Sequence, residues 1–157
     1  MEPINVRAAT PNDLDILLEF EQGIVNAERP FDPTLKEGRI HYYDLGELIA
    51  SPDAKVVVAE TGGEIVGGGY ALIRDSKPYL KHAQHSYLGF MYVKPDFRGR
   101  GVIQMVITAL QQWSVSKGVT EFRLEVYENN LGAIRAYEKM GYVKHMVEMR
   151  MGVSSSK

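Results

Sequence analysis

The chain opens on a two-residue alternation: Ile4, Val6 and Ala8 interleave with Asn5, Arg7 and Ala9, as in a strand, and Thr10-Pro11-Asn12-Asp13 then supplies a helix start. The spacing of Leu14, Leu17, Leu18, Ile24 and Val25 next becomes that of one helical face, predicting a helix over 13–27 that Pro30 and Pro33 close. A second helix is predicted over 34–50 from Leu35, Ile40, Tyr43, Leu48 and Ile49, interrupted by Gly38 and Gly46. Two β-rich runs, 56–59 and 65–73, flank Thr61-Gly62-Gly63-Glu64 and predict a hairpin. Inside its second strand Gly67-Gly68-Gly69 points to a bulge or the close approach of another group, unless the strand is simply loosened there.

Residues 76–86 are polar and irregular and read as a connecting loop. The run 87–93 is apolar on both faces, the mark of a central strand covered on each side. A helix over 101–117 follows, with Val102, Ile103, Val106, Ile107, Leu110 and Trp113 on one stripe and Gly118 as its stop. A strand at 121–127, a helix at 130–140 ended by Gly141 and a strand at 142–151 complete the chain, with 153–157 as a frayed tail. The predicted order is β-α-α-β-β-β-α-β-α-β. Such an order is satisfied by a mixed α/β sheet in a single domain over 1–152, with no repeat or linker to divide it.

Composition narrows what such a domain would do. A chain of 157 residues with 45% hydrophobic content can bury a sizeable core. Net charge is −2, with Lys and Arg dispersed among Asp and Glu, so no global basic field favours nucleic acid or an anionic membrane, and any anion must be caught locally. Cysteine is absent, which removes disulfides, thiolate metal sites and a covalent Cys acyl carrier. The start Met1-Glu2-Pro3-Ile4-Asn5 has neither the basic nor the apolar region of a secretory signal, and no apolar run approaches the roughly 18 residues that span a bilayer. These features predict a soluble cytoplasmic protein. His41, His82, His85 and His145 lack metal-ligand spacing, so no metal is expected.

The local anion site is legible at Arg98-Gly99-Arg100-Gly101-Val102-Ile103-Gln104, where a buried strand passes into a helix through a short turn. Free amides at the helix start and the positive end of its dipole attract an anion. Gly99 and Gly101 remove Cβ atoms where a phosphate would approach, and Arg98 and Arg100 add charge and donors. Taken alone, such a turn is weakly specific, since it also serves plain chain reversal. No Gly-Lys-Ser/Thr follows and the spacing is not G-x-G-x-x-G, which excludes two other phosphate loops.

This segment resembles the R/Q-x-x-G-x-G/A signature of the GNAT family of N-acetyltransferases, with Arg98 and Gly101 in register and Ile103 where the family has Gly or Ala. Met91-Tyr92-Val93-Lys94-Pro95 is similar to that family's fourth strand. A second stretch, Asn130-Leu131-Gly132-Ala133-Ile134-Arg135-Ala136-Tyr137 through Gly141-Tyr142, resembles its Asn-x-x-Ala-x-x-x-Tyr-x-x-x-Gly-Phe/Tyr element. The resemblance covers about residues 85–150 and implies the family's fold, a mostly antiparallel sheet with helices on both faces. It implies acetyl-CoA as cosubstrate, with the backbone of Met91, Tyr92 and Val93 along the pantetheine and the amides of Gly99, Arg100, Gly101, Val102, Ile103 and Gln104 on the pyrophosphate.

By the same resemblance Asn130 contacts the pantetheine or acyl end and Tyr137 lies near the thioester sulfur. The bottom-up reading of that stretch agrees. Asn130 suits a helix N-cap, and Ala133 and Tyr137 lie four apart on one face; the lesser alternative for Tyr137 is a packing role with its hydroxyl merely satisfied.

The implied reaction is direct attack of a neutral amine on the thioester, with the Met91 amide stabilising the oxyanion and Tyr137 protonating the leaving thiolate. Glu125 is the candidate base through similarity to relatives with Leu-Glu-Val on this strand, while a strand glutamate can also face solvent or pair with Arg or Lys. Ile103 either turns into the core beside Ile107 and Leu110 or crowds the cofactor. The acceptor would be a small-molecule or peptide amine, met by the region holding Glu28, Arg29, Phe31, Asp32, His41, Tyr42 and Tyr43. Glu28-Arg29 would read a charged acceptor or form a solvated helix end. A non-catalytic acyl-CoA-binding module is the alternative, and an exposed sixth strand would allow a homodimer.

Overall fold

The computed structural model of the protein describes residues 2–154. The chain forms two units, one ending at Glu125 and the other beginning at Val126. The first holds β1 (Asn5–Ala8), α1 (Leu14–Glu28), α2 (Leu45–Ala50), β2 (Ala54–Thr61), β3 (Glu64–Asp75), β4 (Gln84–Val93), α3 (Val102–Ser116) and β5 (Phe122–Arg123). The second holds α4 (Leu131–Lys139). The sheet runs β1-β2-β3-β4-β5, antiparallel throughout except for the parallel pair β4 and β5.

The predicted hairpin forms as read. Gly62 and Gly63 both take positive φ, 56° and 80°, which a two-residue turn requires if the strands are to keep their right-handed twist. β1 is tied to the turn that leads into α1 by Arg7, whose guanidinium donates to both oxygens of the buried Asp13 carboxylate at 2.8 and 3.1 Å. That arginine holds the Asp13 carboxyl below the usual carboxylate range. The Thr10 amide donates to the same carboxylate at 2.8 Å, closing the capping box at the start of the helical run.

Helices cover both faces of the sheet. Leu17, Phe20 and Ile24 of α1 and Leu45 of α2 pack with Val56, Val58, Tyr70 and Phe90. On the opposite face α3 buries Val102, Val106, Ile107 and Leu110. The triple glycine explains how α3 comes so close: a Cβ on Gly69 would lie 2.9 Å from Val106 Cγ1, and one on Gly67 3.3 Å from Val102 Cγ1. Gly68 points the other way, toward Leu17. The triplet is thus a close-approach site rather than a loosened strand.

Four expectations change. The helix predicted over 34–50 shrinks to Leu45–Ala50, because the preceding segment is tied to α1 by hydrogen bonds that hold it out of helical geometry. Gln22 Nε2 donates to the Ile40 carbonyl at 2.7 Å, and Arg29 to the carbonyls of Lys36 and Gly38. Part of the predicted loop 76–86 instead joins β4, where Gln84, His85 and Ser86 pair with Asp75, Arg74 and Ile73.

The strand predicted over 121–127 is only Phe122–Arg123, since its pairing with β4 stops after two residues. The strand predicted over 142–151 is absent: among the described residues no strand follows α4, so the observed order ends on a helix. Alternation of apolar and polar residues does not by itself make a strand, which needs a ladder partner. No helix among the described residues is long and apolar enough to cross a membrane.

Candidate active site

Two irregularities of β4 create an opening in the first unit. Gly68 pairs with Tyr92 and Tyr70 with Gly89, so the single Gly69 faces two residues, Phe90 and Met91. This is a β-bulge. Phe90 takes φ 58°, the only positive value at a non-glycine among the described residues, a conformation that costs about 1–3 kcal/mol and persists only where packing over-determines it. Here Phe90 is 2% exposed and its ring stacks on Tyr43, 5.6 Å between centroids and 5° from parallel.

On its other side β4 pairs with β5 only at Ser86 with Phe122 and Tyr87 with Arg123. Beyond Tyr87 the two strands part. No strand of this unit faces the β5 side of Met91, Tyr92 and Val93.

β4 then enters the glycine turn. Gly99 and Gly101 adopt φ 76° and 80°, the left-handed region that favours glycine. A Cβ on Gly99 would meet nothing within 4 Å, and one on Gly101 only Gln104 Oε1 at 3.9 Å, so side chains there would point into open space rather than into packed atoms. The turn leads into α3, where the amides of Val102, Ile103 and Gln104 have no intrahelical acceptor.

Arg98 braces the turn: its Nε donates to the Val93 carbonyl at 3.0 Å and its guanidinium lies 5.9 Å from the Tyr92 ring. Arg100 is exposed, its guanidinium 5.1 Å from the Phe97 ring. Val102, 2% exposed, takes the core position that opens α3, while Ile103 is half-buried at the edge of the stripe and not inside it.

Glu125 ends the first unit, and its carboxylate is exposed but not loose. The Tyr87 hydroxyl donates to Oε1 at 2.8 Å, and the Arg74 guanidinium sits 4.0 Å from the Tyr87 ring centroid. Burial, and then the bond to Glu125, raise the Tyr87 hydroxyl above the usual phenol range, so it stays protonated and remains a donor. Tyr87 was not among the predicted site residues. The signal for it is its register with Arg123, two residues before Glu125, which no local pattern contains.

A second residue missed by sequence reasoning is Glu21. Its fully buried carboxylate accepts from the amides of Tyr42 and Tyr43 at 2.8 and 3.0 Å and pairs with His41 Nδ1 at 2.7 Å. It thereby positions Tyr43 on Phe90. Burial raises the Glu28 carboxyl above the usual carboxylate range, and Arg29 donates to the two carbonyls named above.

In the second unit Asn130 is the N-cap of α4, its side chain accepting from the Ala133 amide at 3.3 Å. Ala133 and Tyr137 are half-buried, Ile134 is buried, and the Tyr137 ring meets that of Tyr142 at 6.2 Å, 65° from parallel. Gly141, φ 98°, lies two residues beyond the end of the helix.

Comparison with known proteins agrees with this architecture. The chain is 39% identical over 89 residues to Acetyltransferase ECA0875 of Pectobacterium atrosepticum, a match covering 55% of each, so the chain spans about half the length of the curated relatives it matches. Its fold superposes on a mutant of the BH1408 protein of Bacillus halodurans with TM-score 0.85 at 15% identity, covering 96% of this chain and 99% of that one. A protein of Clostridium acetobutylicum, described as a predicted acetyltransferase with acetyl-CoA, superposes with TM-score 0.73 at 18% identity, covering 96% of each. The sequence pattern of the acetyltransferase (GNAT) family matches residues 22–142. The chain belongs to the GNAT acetyltransferase family.

Proposed function

We propose that the protein moves an acetyl group from acetyl-CoA to a primary amine by direct attack on the thioester. The observation that carries this reading is the opening in β4: a bulge at Phe90 and Met91, the parting from β5 after Tyr87, and the glycine turn at the start of α3, which protein side chains leave open. An extended acyl-pantetheine arm can bond the strand edge at Met91, Tyr92 and Val93 as an added strand would. The amides from Gly99 to Gln104 suit the pyrophosphate, with Arg100 as the exposed cation.

In this reading the Met91 amide stabilises the oxyanion of the tetrahedral intermediate. Glu125, held by Tyr87, accepts the proton that the attacking amine sheds, directly or through water. Tyr137 returns a proton to the departing CoA thiolate. Asn130 and Ala133 complete the cosubstrate-binding set carried over from the family pattern. The segment 40–43, fixed by Glu21, borders the acceptor.

The test is CoA thiol release from acetyl-CoA across a panel of primary amines. The chain has no cysteine, so a thiol reagent reads CoA alone. At least one amine is expected to drive release, and Tyr137→Phe to lower kcat about 10²- to 10⁴-fold with little change in the KM for acetyl-CoA. Tight acetyl-CoA binding with no release on any amine would favour a non-catalytic acyl-CoA-binding module instead.

A further inference from the structure

Near the end of β3, the Arg74 guanidinium takes part in no ion pair or hydrogen bond among the described residues. It lies over the Tyr87 ring, 4.0 Å from the centroid, as a cation–π pair does. The same ring carries the hydroxyl that donates to Glu125 at 2.8 Å. Tyr87 therefore spaces a guanidinium without a counter-ion from the carboxylate assigned to the attacking amine. Strand register produces this juxtaposition. Arg74 pairs with His85 and Leu72 with Tyr87 across β3 and β4, and Tyr87 pairs with Arg123 across β4 and β5. Side chains two apart share a face, so Arg74, Tyr87 and Arg123 project from the face on which α1 packs. The other charges there are already balanced or absent. Arg123 Nε pairs with Glu121 at 3.2 Å. Burial, and then the cations Arg123, Arg74 and His82, hold the His85 imidazole below its usual range, so it stays neutral at neutral pH.

We infer that the acceptor is a free amino acid, its amino group received at Glu125 and its carboxylate bound by Arg74. This rests on the acetyl-transfer reading above and narrows it to one class of amine. A guanidinium held by its face against a ring keeps its N–H donors at its edge, in the planar fork that matches both oxygens of a carboxylate. In an α-amino acid the amine and the carboxylate share one carbon. With a hydrogen bond of about 2.9 Å at either end, that span matches receivers set apart by one phenol ring and one hydrogen bond. An acceptor whose second group is an ammonium, such as a diamine, would meet Arg74 as a like charge and is disfavoured. Once neutral, the amino group forms the new C–N bond as the C–S bond of the thioester breaks. The proton it then sheds matches the one CoA gains, and the product is an N-acetyl amino acid.

The experiment measures CoA release by the full chain on each amino acid and on the amine left when its carboxylate is removed, leucine against isopentylamine or phenylalanine against phenethylamine. In the best pair kcat/KM is expected to be about 10²-fold higher for the amino acid, and Arg74→Gln to lower that preference about 10- to 100-fold. The preference is a ratio within one preparation, so a partly folded variant still reports it, and the unsubstituted chain gives it without any variant. Release on amines with no preference for their amino acids overturns the proposal and leaves acetyl transfer standing. So does an equal loss on both members of the pair in Arg74→Gln, which would make Arg74 a prop for Tyr87 alone. Phosphoethanolamine tests the other anion a guanidinium binds, and a preference for it over every amino acid overturns the carboxylate assignment. No release on any compound overturns the acetyl-transfer reading, and this inference with it.

Discussion

At Glu21 a carboxylate with no exposed surface takes hydrogen bonds from two successive backbone amides and a histidine, and so holds a stretch that has no regular structure of its own. Removing such an acceptor costs more than the bonds were worth, because the donors stay behind without partners. Glu21→Met, similar in size but unable to accept, is expected to cost about 1–3 kcal/mol, read as a lower urea midpoint at unchanged slope. An unchanged midpoint would mean that the 40–43 segment is held by other contacts. Nothing in the local pattern distinguished Glu21 from the other acidic residues of its helix, because its partners lie twenty or more positions away. Asn130 was different. Its capping role depends only on the residues immediately after it, and the structure shows that bond.

At the scale of elements, the separation of β3 from β4 is set by atoms that are missing. A Cβ on Gly67 would lie 2.7 Å from the Tyr92 carbonyl oxygen, a backbone atom that cannot swing aside as a side chain can. Gly67→Ala is therefore expected to push β4 outward where Tyr92 and Val93 lead into the glycine turn, costing about 1–3 kcal/mol by overpacking. Thermal unfolding reads the loss, and acetyl-CoA affinity should fall with it. Full stability in that variant would show the strands to have more room than the structure gives them.

The hairpin, α1, α3 and α4 were legible because their periodicity and punctuation are local. The bulge was foreshadowed by the glycine triplet, but its position opposite Phe90 and Met91 is a property of the pairing. The early end of β5, and the lack of a strand after α4 among the described residues, depend on what each stretch pairs with, which alternation alone does not encode.

For the whole molecule, the sequence motifs and the sheet geometry bear on the same part of the chain from different directions. The signature at 98–104 specifies a glycine turn, and the structure leaves open space at Gly99 and Gly101, in the turn that follows a strand edge opened by the bulge and the divergence from β5. The central claim is that this opening takes acetyl-CoA. It is tested most directly by following backbone amide resonances of the intact protein as acetyl-CoA is added. Saturable shifts are expected, concentrated at Met91, Tyr92, Val93, Gly99, Gly101, Val102, Ile103 and Gln104. Saturable shifts confined to other parts of the chain, or none up to millimolar acetyl-CoA, would contradict it.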